Sequence, residues 1–253
     1  VDAMCSYGRD TRDIAMYVID PHVIIAMAPD KLFLDPSHTF RLWHYDHSRK
    51  ETEDSRILTI QRLSTRQEAD QVNRIYAKCH MKGADPDFLL DKRATKLLTY
   101  LVAKPADSDQ VVGTITGVDH VAAFNDPENG CSLWSLAVDP QAGIPGVGTR
   151  LVRHLAAHYF TKGRTFIDAS VMHDNRHAIP LYEKLGFQRV PVFCIKRKNS
   201  INQTLYVPNH DTVKQMNPYA RLIADEAKKR GIIVDVIDEA YGLFNLSLGS
   251  RSI

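Results

Sequence analysis

Residues 136–149 read LAVDPQAGIPGVGT, a short apolar stretch followed by a turn rich in glycine and proline. The apolar start predicts a strand, and the glycines predict a tight turn that leads into a helix. Gly146 and Gly148 have no side chains, so a phosphate oxygen can approach their backbone closely. The first N–H groups of a helix lack partners within it, and the helix dipole attracts anions to that end. The stretch therefore predicts a loop that binds a diphosphate.

The same stretch does not fit two other kinds of nucleotide-binding loop. A P-loop has lysine before its final Ser or Thr, whereas Gly148 precedes Thr149 here. A dinucleotide-binding fold has three spaced glycines and an acidic residue about 20 residues later. Asp168 lies near that distance, but the strands predicted upstream form an antiparallel pair, which argues against a parallel nucleotide-binding sheet.

The elements around the loop follow a regular order. Residues 56–63 alternate like a strand, and Ser64 or Thr65 can cap a helix that runs to about residue 80. Thr65 with Glu68 has the spacing of a capping box. Further strands are predicted at 96–104, 110–124, 131–138, 165–171 and 187–197, with helices from Val147 to Lys162 and from Asp174 or Asn175 to Leu185. The order β-α-β-β-β-α-β-α-β indicates an α/β (α+β) protein with a mixed sheet.

A second motif, VMHDNRHAIPLYEKLGF, occupies residues 171–187. Asn175, Ala178 and Tyr182 fall on one face of a helix, and the small Ala178 leaves room there for a ligand. The glycine loop and this segment together resemble the GNAT acetyltransferase family, which pairs an Arg/Gln-x-x-Gly-x-Gly/Ala loop with a downstream Asn-x-x-Ala-x-x-x-Tyr segment. The resemblance implies the acyl-CoA N-acyltransferase fold, with a mixed, mainly antiparallel sheet, a splayed central strand pair and flanking helices.

The resemblance also implies acetyl-CoA as the cofactor and direct transfer of its acetyl group to a primary amine. The strand at residue 136 would offer its backbone to the pantetheine arm, the loop would hold the diphosphate, and Asn175 would touch the pantetheine or a water. Tyr182 would protonate the departing thiolate, since a phenol with a pKa of about 10 is a suitable donor. The implied cofactor-binding residues are Leu136, Ala137, Val138, Gly143, Gly146, Val147, Gly148, Thr149, Asn175 and Tyr182.

The start of the loop departs from the family pattern. The usual Arg or Gln corresponds to Gly143, and Pro145 is unusual within the loop. A cationic contact to phosphate is lost unless Arg150 or Arg153 replaces it. This departure leaves a second hypothesis open, a GNAT module that binds acetyl-CoA without catalysis, although Tyr182 argues against it.

The reaction needs a base, because an amine must lose a proton before it attacks a thioester. Asp119, His120 and Glu128 come late in or after a predicted strand of the sheet, near where an acceptor is expected to enter. His173 follows the strand that is expected to splay. We rank His120 and Asp119 first as catalytic candidates beside Tyr182.

Several phrases resemble a narrower family, N-acetylglutaminylglutamine synthetase, in which a GNAT domain is joined to an ATP-grasp ligase. They are APDKLFLDPSHTFRLW at 28–43, SLWSLAVDPQ at 132–141, residues 170–199 and NPYARLIADEAKKRGI at 217–232. This resemblance implies bacterial osmolyte synthesis, with the α-amine of glutamine or glutaminylglutamine as the acceptor. It also leaves open that the chain is mainly the front end of an ATP-dependent peptide ligase.

The predicted organisation has four parts: a β-rich N-terminal extension (1–51), the acetyltransferase domain (52–200), a linker (201–216) and the start of a truncated ATP-grasp region (217–253). The extension is predicted to have two short strands within 13–28, broken at Pro21, and more strand at 32–45. The last part is predicted to have a helix from Tyr219 to Arg230, a strand from Ile232 to Ile237 and a hairpin. The chain begins without Met and closes in a strand-like pattern, so we expect a segment of a longer protein with the ATP-grasp region in cis.

Composition argues against several other function classes. A net charge of +2 over 253 residues gives no electrostatic basis for binding nucleic acid or an anionic membrane, and no apolar run is long enough to span one. The four scattered cysteines form no CxxC pair, which favours reduced thiols in the cytoplasm over a zinc or redox site. His154 and His158 have the spacing of a zinc pair but lack the HExxH acid, so no metal is expected. The oligomeric state stays open, with a homodimer as one option.

Overall fold

The structure, a computed structural model, describes residues 1–6, 15–46, 57–93, 95–199, 202, 205–206, 216–238, 240–248 and 251–252. The chain divides into two compact units, His38–Val190 on the one hand and Val1–Ser37 with Pro191–Ile253 on the other. The predicted boundary at residue 51 lies outside the described residues, and so does most of the predicted linker at 201–216.

The chain alternates strands and helices. The strands are β1 (Ala15–Val18), β2 (Leu32–Leu34), β3 (Ser37–Trp43), β4 (Leu58–Arg62), β5 (Leu98–Pro105), β6 (Gly113–Asp119), β7 (Gly130–Val138), β8 (Phe166–Met172), β9 (Gln188–Val190), β10 (Phe193–Arg197), β11 (Ile233–Asp238), β12 (Leu243–Leu248) and β13 (Arg251–Ser252). The α-helices are α1 (Asp2–Ser6), α2 (Pro21–Met27), α3 (Arg66–Lys78), α4 (Pro86–Arg93), α5 (His120–Phe124), α6 (Val147–Thr161), α7 (Ala178–Lys184) and α8 (Pro218–Lys229), and His44–Asp46 form a 3-10 turn.

The unit His38–Val190 is built on a seven-stranded sheet of order β4-β5-β6-β7-β8-β3-β9. Neighbours from β4 to β7 run antiparallel, whereas β7 and β8 are parallel. This central pair holds together only between Gly130–Leu133 and Phe166–Ala169, and both strands continue for several residues beyond it. The expected mixed, mainly antiparallel sheet with a splayed central pair is confirmed.

The sheet lies between two layers of helices. α6 and α7 share one hydrophobic cluster with one face of the sheet, in which Leu155 and Tyr159 of α6 pack with Leu133. α3 and α4 share a second cluster, with Val72 and Leu89 packed against the opposite face. Gly117 permits the close approach of α6, because a Cβ atom there would lie 2.5 Å from the ring of Tyr159.

The predicted capping box at the start of α3 is confirmed. The Thr65 side chain accepts the N–H of Glu68, and the Glu68 carboxylate accepts the N–H of Thr65. The same carboxylate accepts the Ser64 N–H at 2.6 Å and lies 2.8 Å from Lys104 Nζ. Burial alone would raise the pKa of Glu68, but Lys104 and these backbone donors bring it down to about 2.

We expect Glu68→Ala to lower the free energy of unfolding by about 3 kcal/mol, because Lys104 would lose its partner while 13% exposed. A group with a depressed folded pKa stabilises the fold above its ordinary pKa, about 4.5 here, and that contribution disappears as the pH falls towards 2. The difference from wild type in urea unfolding should therefore be full at pH 7 and smaller at pH 3. Thr65→Ala, which removes only the cap, should cost about 1 kcal/mol; an equal loss for both variants would contradict the role of the ion pair.

Three predicted elements were wrong. Residues 120–124 form the helix α5 instead of continuing a strand, because the Asp119 side chain accepts the Ala122 N–H and caps a helix. The second predicted strand within 13–28 is the helix α2, which Pro21 begins as its first residue. The predicted strand 187–197 is divided into β9 and β10, which belong to different sheets.

Strand β3 lies away from its neighbours in sequence. The sequence assigns these residues to the N-terminal extension, but β3 lies between β8 and β9 in the seven-stranded sheet. It pairs antiparallel with β9, Phe40 opposite Arg189. At its end, the His44 N–H donates to the Thr165 carbonyl just before β8. The chain before the predicted boundary therefore completes this sheet.

The other unit contains two small antiparallel sheets, β1-β10-β2 and β11-β12-β13. Ala220 and Ala224 of α8 pack against Val234, Val236 and Phe244. The predicted helix, strand and hairpin after residue 217 are confirmed as α8, β11 and the β12–β13 pair. In the described part of the chain, no helix is long and apolar enough to cross a membrane.

Candidate active site

A bulge in β7 opens the gap between the central strands. Thr116 of β6 pairs with Trp134, and Thr114 pairs with Ala137, so β7 has one extra residue between them. Ser135 in the bulge has a φ of +50° and is exposed. A bulge bends its strand, and β7 is no longer paired with β8 after Leu133. Residues 136–138 are therefore left as extended backbone beside the gap.

The glycine loop follows this open part of β7. Gly146 precedes α6 with a φ of +78°, and no side chain caps the helix there. Within the described ranges, no acceptor binds the backbone N–H groups of Val147, Gly148 and Thr149. Among the atoms of the described residues, a Cβ atom at Gly146 would meet nothing within 4 Å, so these residues leave the space above the loop open.

Two contacts place this loop at the open end of the gap. A Cβ atom at Gly148 would lie 3.7 Å from Val138, the last residue of β7, and 3.6 Å from Leu181 of α7. Asp139 anchors the loop, accepting the Gln141 N–H at 2.9 Å and the Lys78 ammonium at 2.8 Å. The Lys78 contact also lowers the pKa of Asp139. The arrangement has the geometry of an anion site made of backbone donors.

Two arginines follow the loop, in the first two turns of α6. Gly143 has a φ of +64°, with open space around its Cβ position. Arg150 and Arg153 are half-buried in α6, and each already takes part in another interaction. The unpaired N–H groups are therefore the feature of this structure that fits a diphosphate.

Asn175 organises the turn before α7. Its side-chain oxygen accepts the N–H groups of His177 at 3.3 Å and Ala178 at 2.9 Å. The helix therefore begins at Ala178, later than predicted, and Asn175 is exposed ahead of it. Its side-chain amide nitrogen still faces no described partner, so it is available to a ligand.

Tyr182 lies in the hydrophobic cluster rather than on an open surface. It is 3% exposed, and its ring contacts Phe187 and Phe40 at centroid distances of 5.3 and 6.3 Å. Burial raises its pKa. No hydrogen bond reaches its hydroxyl from any residue that the structure describes, yet this oxygen is not among the fully enclosed side-chain oxygens that lack a hydrogen bond. The hydroxyl therefore keeps some access to solvent.

Asp119 is not placed beside the gap, contrary to expectation. It pairs with Cys131, in the part of β7 that is still bound to β8. Both of its oxygens accept hydrogen bonds from Arg164 at 2.9 Å. Burial would raise the pKa of Asp119, but the bonds from Arg164 and the Ala122 N–H lower it overall. Its geometry is that of a structural anion.

We expect Asp119→Asn to lower stability by about 2 kcal/mol, because Arg164 would lose a buried charge partner. Since the folded pKa of Asp119 is depressed, its contribution is present above the ordinary value of 3.8 and lost as the pH falls below it. The pH profile of kcat should keep its shape. Loss of the acidic limb of that profile, where kcat falls as a base becomes protonated, would restore Asp119 as the base.

His120 is half-buried and joined to the sheet through Ser132. Its Nε2 atom lies 2.8 Å from Ser132 Oγ, and its Nδ1 atom lies 3.7 Å from Asp126 Oδ2. Burial lowers the pKa of His120, although Asp168 and Asp126 oppose this. The ring is therefore neutral at pH 7, but Ser132 already occupies the nitrogen nearest the sheet.

Glu128 and His173, the other two candidate bases, occupy opposite ends of β8. The Glu128 carboxylate is 67% exposed and lies 3.7 Å from Arg41, at the end where β7 and β8 are still paired. His173 is exposed and follows the last residue of β8. His173 is therefore the candidate at the open end of the gap.

The comparisons with known proteins agree with this geometry. The sequence profile of the acetyltransferase (GNAT) family matches residues 68–187, from the first turn of α3 to the residue after Gly186. Residues 68–187 have the GNAT fold, and we call them the GNAT domain. The GNAT domain contains the loop, Asn175 and Tyr182, and the family generally uses acetyl-CoA.

The GNAT domain is also similar to a curated relative, the ribosomal protein bS18-alanine N-acetyltransferase of Salmonella typhimurium. The two are 33% identical over 81 residues, which are 31% of this chain and 55% of the relative. This chain therefore spans about half the length of that relative.

Two solved structures share the fold. A Drosophila protein has a TM-score of 0.51 and 17% identity, covering 71% of this chain and 57% of its own. A GCN5-related N-acetyltransferase from Kribbella flavida has a TM-score of 0.50 and 11% identity, covering 74% and 68%. At these identities they show the fold alone.

Sequence reasoning missed the network on the face of the sheet away from α6. It includes the bidentate pair of Arg41 with Asp168, at 2.7 and 2.8 Å, and the bond from Trp134 Nε1 to Ser132 Oγ at 2.9 Å. The alternating pattern of β7 was the available signal, because it places Ser132 and Trp134 on one face. Among the residues that the structure describes, no group of three or more metal-ligand side chains could hold an ion.

Proposed function

We propose that the GNAT domain binds acetyl-CoA and transfers the acetyl group to the α-amine of an amino acid or short peptide. The observation that carries the proposal is the set of unpaired N–H groups at Val147, Gly148 and Thr149, beside the open end of β7. Such a helix start favours a diphosphate, since its donors and dipole both point at the anion. The extended backbone at 136–138 gives the pantetheine arm a strand to lie along, although Cys79 Sγ already donates to the Val138 carbonyl at 3.4 Å.

In this proposal the bound acetyl-CoA supplies the thioester. The amine nitrogen forms a bond to the acetyl carbon, the carbon–sulfur bond breaks, the amine releases a proton and the thiolate takes one up. The loop fixes the diphosphate, so positioning contributes much of the rate. Asn175 orients the pantetheine through its side-chain nitrogen.

Tyr182 is the proposed proton donor to the thiolate. Burial raises its pKa, so the hydroxyl stays protonated at neutral pH and acts as an acid rather than a base. It shares its hydrophobic cluster with Leu133 and Val171, which lie where β7 and β8 part. We propose that the phenol reaches the start of the gap from this cluster.

For the amine proton we propose His173, directly or through water, because it lies at the open end of the gap. His120 is proposed to hold the acceptor side of the site in place, since Ser132 occupies its Nε2 atom. Asp119 is proposed to stabilise the fold through Arg164.

Two similarities bear on the acceptor. The sequence phrases that resemble N-acetylglutaminylglutamine synthetase support glutamine or glutaminylglutamine. The name of the Salmonella relative supports an alanine of a ribosomal protein. Both involve amino-acid amines, and we propose glutamine and its dipeptide first, with an N-terminal alanine peptide as the second candidate.

Thiol release from acetyl-CoA would test the proposal. The purified chain is incubated with acetyl-CoA and one amine at a time: glutamine, glutaminylglutamine, a peptide with N-terminal alanine or a simple alkylamine. The masses of the products are determined by mass spectrometry. We expect amine-dependent thiol release and a product heavier by one acetyl group. Saturable acetyl-CoA binding without thiol release above hydrolysis would support the non-catalytic module instead.

The wider context rests on resemblance alone. We propose that residues 217–253 begin an ATP-grasp region joined in cis, and that the protein acts in the cytoplasm of a bacterium in osmolyte synthesis. The order helix, strand, hairpin from α8 to β13 supports this without distinguishing it from other folds. A chain extended past Ile253 should hydrolyse ATP in the presence of glutamine; a stable, folded extension without ATP turnover would count against the ligase.

A further inference from the structure

A tryptophan is exposed in the middle of the seven-stranded sheet. Trp134 is 39% exposed, whereas its neighbours Ser132 and Leu133 on β7 are 7% and 5% exposed. β7 is the fourth of seven strands, where side chains on both faces are usually covered. An aromatic ring that stays exposed at such a position offers a flat apolar face to a ligand.

Trp134 faces away from α6 and α7. It alternates with Leu133, which packs in the cluster shared with α6, and successive side chains of a strand point to opposite faces. Ser170 is exposed as well, and it is level with Trp134 when the pairing of Leu133 with Ala169 is continued by one residue. α6 and α7 cover the other face, whereas Trp134 and Ser170 stay exposed beside the layer of α3 and α4, so an amine can reach the gap from the face of Trp134.

The indole is held in a fixed position. Its N–H donates to Ser132 Oγ, and Ser132 Oγ lies 2.8 Å from His120 Nε2. An indole nitrogen is only a donor, so Ser132 accepts from it and can donate its own hydrogen to the neutral His120. With its polar atom satisfied inside the protein, the exposed remainder of Trp134 is apolar ring, and a ring held in advance loses little freedom on binding.

The charged side chains near Trp134 are paired, with one acidic group in excess, because Glu128 also lies 3.7 Å from Arg41. On the same face of the neighbouring strands, Arg41 and Asp168 neutralise each other through two hydrogen bonds. Arg41 also stacks over the Phe166 ring, 3.5 Å from its centroid, so its guanidinium is fully engaged. A paired surface with an acidic excess beside an aromatic ring favours a neutral, flat or apolar group over an anion.

We infer that Trp134 forms the acceptor-side wall of the site and selects α-amines whose adjacent side chain carries a neutral planar group, either a carboxamide or an aromatic ring. This inference rests on the proposed acetyl transfer and narrows its substrate class. Ser132 and His120 act as positioning residues for the indole.

The test compares glycine amide, glutamine amide, glutamate amide and phenylalanine amide as acceptors. Wild type should prefer glutamine amide and phenylalanine amide over the other two by about 10-fold in kcat/KM, the effect of about 1.4 kcal/mol. Trp134→Ala should abolish this preference through the KM of the acceptor and leave the KM of acetyl-CoA within twofold. Ser132→Ala, which frees the ring, should raise only the acceptor KM. An unchanged preference, or a defect confined to acetyl-CoA, would overturn the inference.

A fluorescence titration separates this inference from the transfer reaction itself. The chain has two tryptophans, and Trp43→Phe leaves Trp134 as the single indole while keeping an aromatic ring beside Tyr45 and Phe166. In the presence of CoA, glutamine amide should change the emission of Trp134 saturably and glycine amide should not. A saturable change in emission without turnover would refute the proposed acetyl transfer and support the role of Trp134 in binding the acceptor. Turnover without any change in emission would refute that role of Trp134.

Discussion

Gly146→Val is expected to weaken acetyl-CoA binding by about 100-fold while the domain stays folded. Gly146 has a φ of +78°, a conformation that β-branched residues avoid. A valine there would turn the loop away from this geometry and place a side chain in space that is now open. Losing one or two charge-assisted hydrogen bonds to the diphosphate, about 3 kcal/mol, corresponds to about 100-fold in Kd. Isothermal titration calorimetry with acetyl-CoA measures this change in Kd.

Gly163→Val is the matched control, because it repeats the same strain at the other end of the same helix. Gly163 follows α6 with a φ of +82°, and a Cβ atom there also meets nothing within 4 Å. Both variants should lower Tm by similar amounts, but Gly163→Val should bind acetyl-CoA like wild type. If both lose binding equally, or if Gly146→Val binds normally, the loop does not hold the cofactor.

Tyr182→Phe is expected to reduce kcat by about 100-fold, the usual lower range for loss of a general acid. The Kd of acetyl-CoA should stay within twofold, since the ring would keep its contacts with Phe40 and Phe187. Stability should be unchanged or slightly higher, because the hydroxyl has no hydrogen-bond partner among the described residues. Single-turnover kinetics with saturating acetyl-CoA isolates the chemical step.

Tyr159→Phe is the control for a buried tyrosine in the same cluster. The Tyr159 hydroxyl donates to Thr99 at 3.3 Å, so its removal should cost about 1 kcal/mol of stability. Turnover should be retained. If Tyr182→Phe also keeps full turnover, Tyr182 serves only to pack α7 against the sheet, and the thiolate takes its proton from elsewhere.

Local signals made part of the fold predictable. The capping box of Thr65 with Glu68 fixed the start of α3, and Gly163 and Gly186 marked helix ends through their positive φ. Non-local pairing was not predictable in this way. The place of β3 between β8 and β9 depends on contacts about 150 residues apart, for which a single sequence carries no local pattern.

The candidate site, too, has a part that local motifs predict and a part that depends on contacts between distant residues. The glycine loop and the segment from Asn175 to Tyr182 are short motifs, so their residue types could be read directly. The structural role of Asp119 could not be predicted, because its hydrogen-bond partner Arg164 is 45 residues away in the sequence. The bulge at Ser135 could not be predicted either, because the alternating pattern of β7 shows no break at that residue. For the same reason, the exposure of Trp134 could not be predicted.

Backbone amide NMR of the chain during titration with CoA tests the central claim most directly. We expect the largest saturable shift changes at the N–H groups of Val147, Gly148 and Thr149, which lack partners before binding and would donate to the diphosphate. Dephospho-CoA should produce the same changes, since it retains the diphosphate. Saturable binding that leaves these three amides unmoved, or the absence of binding by a folded chain, would contradict the claim.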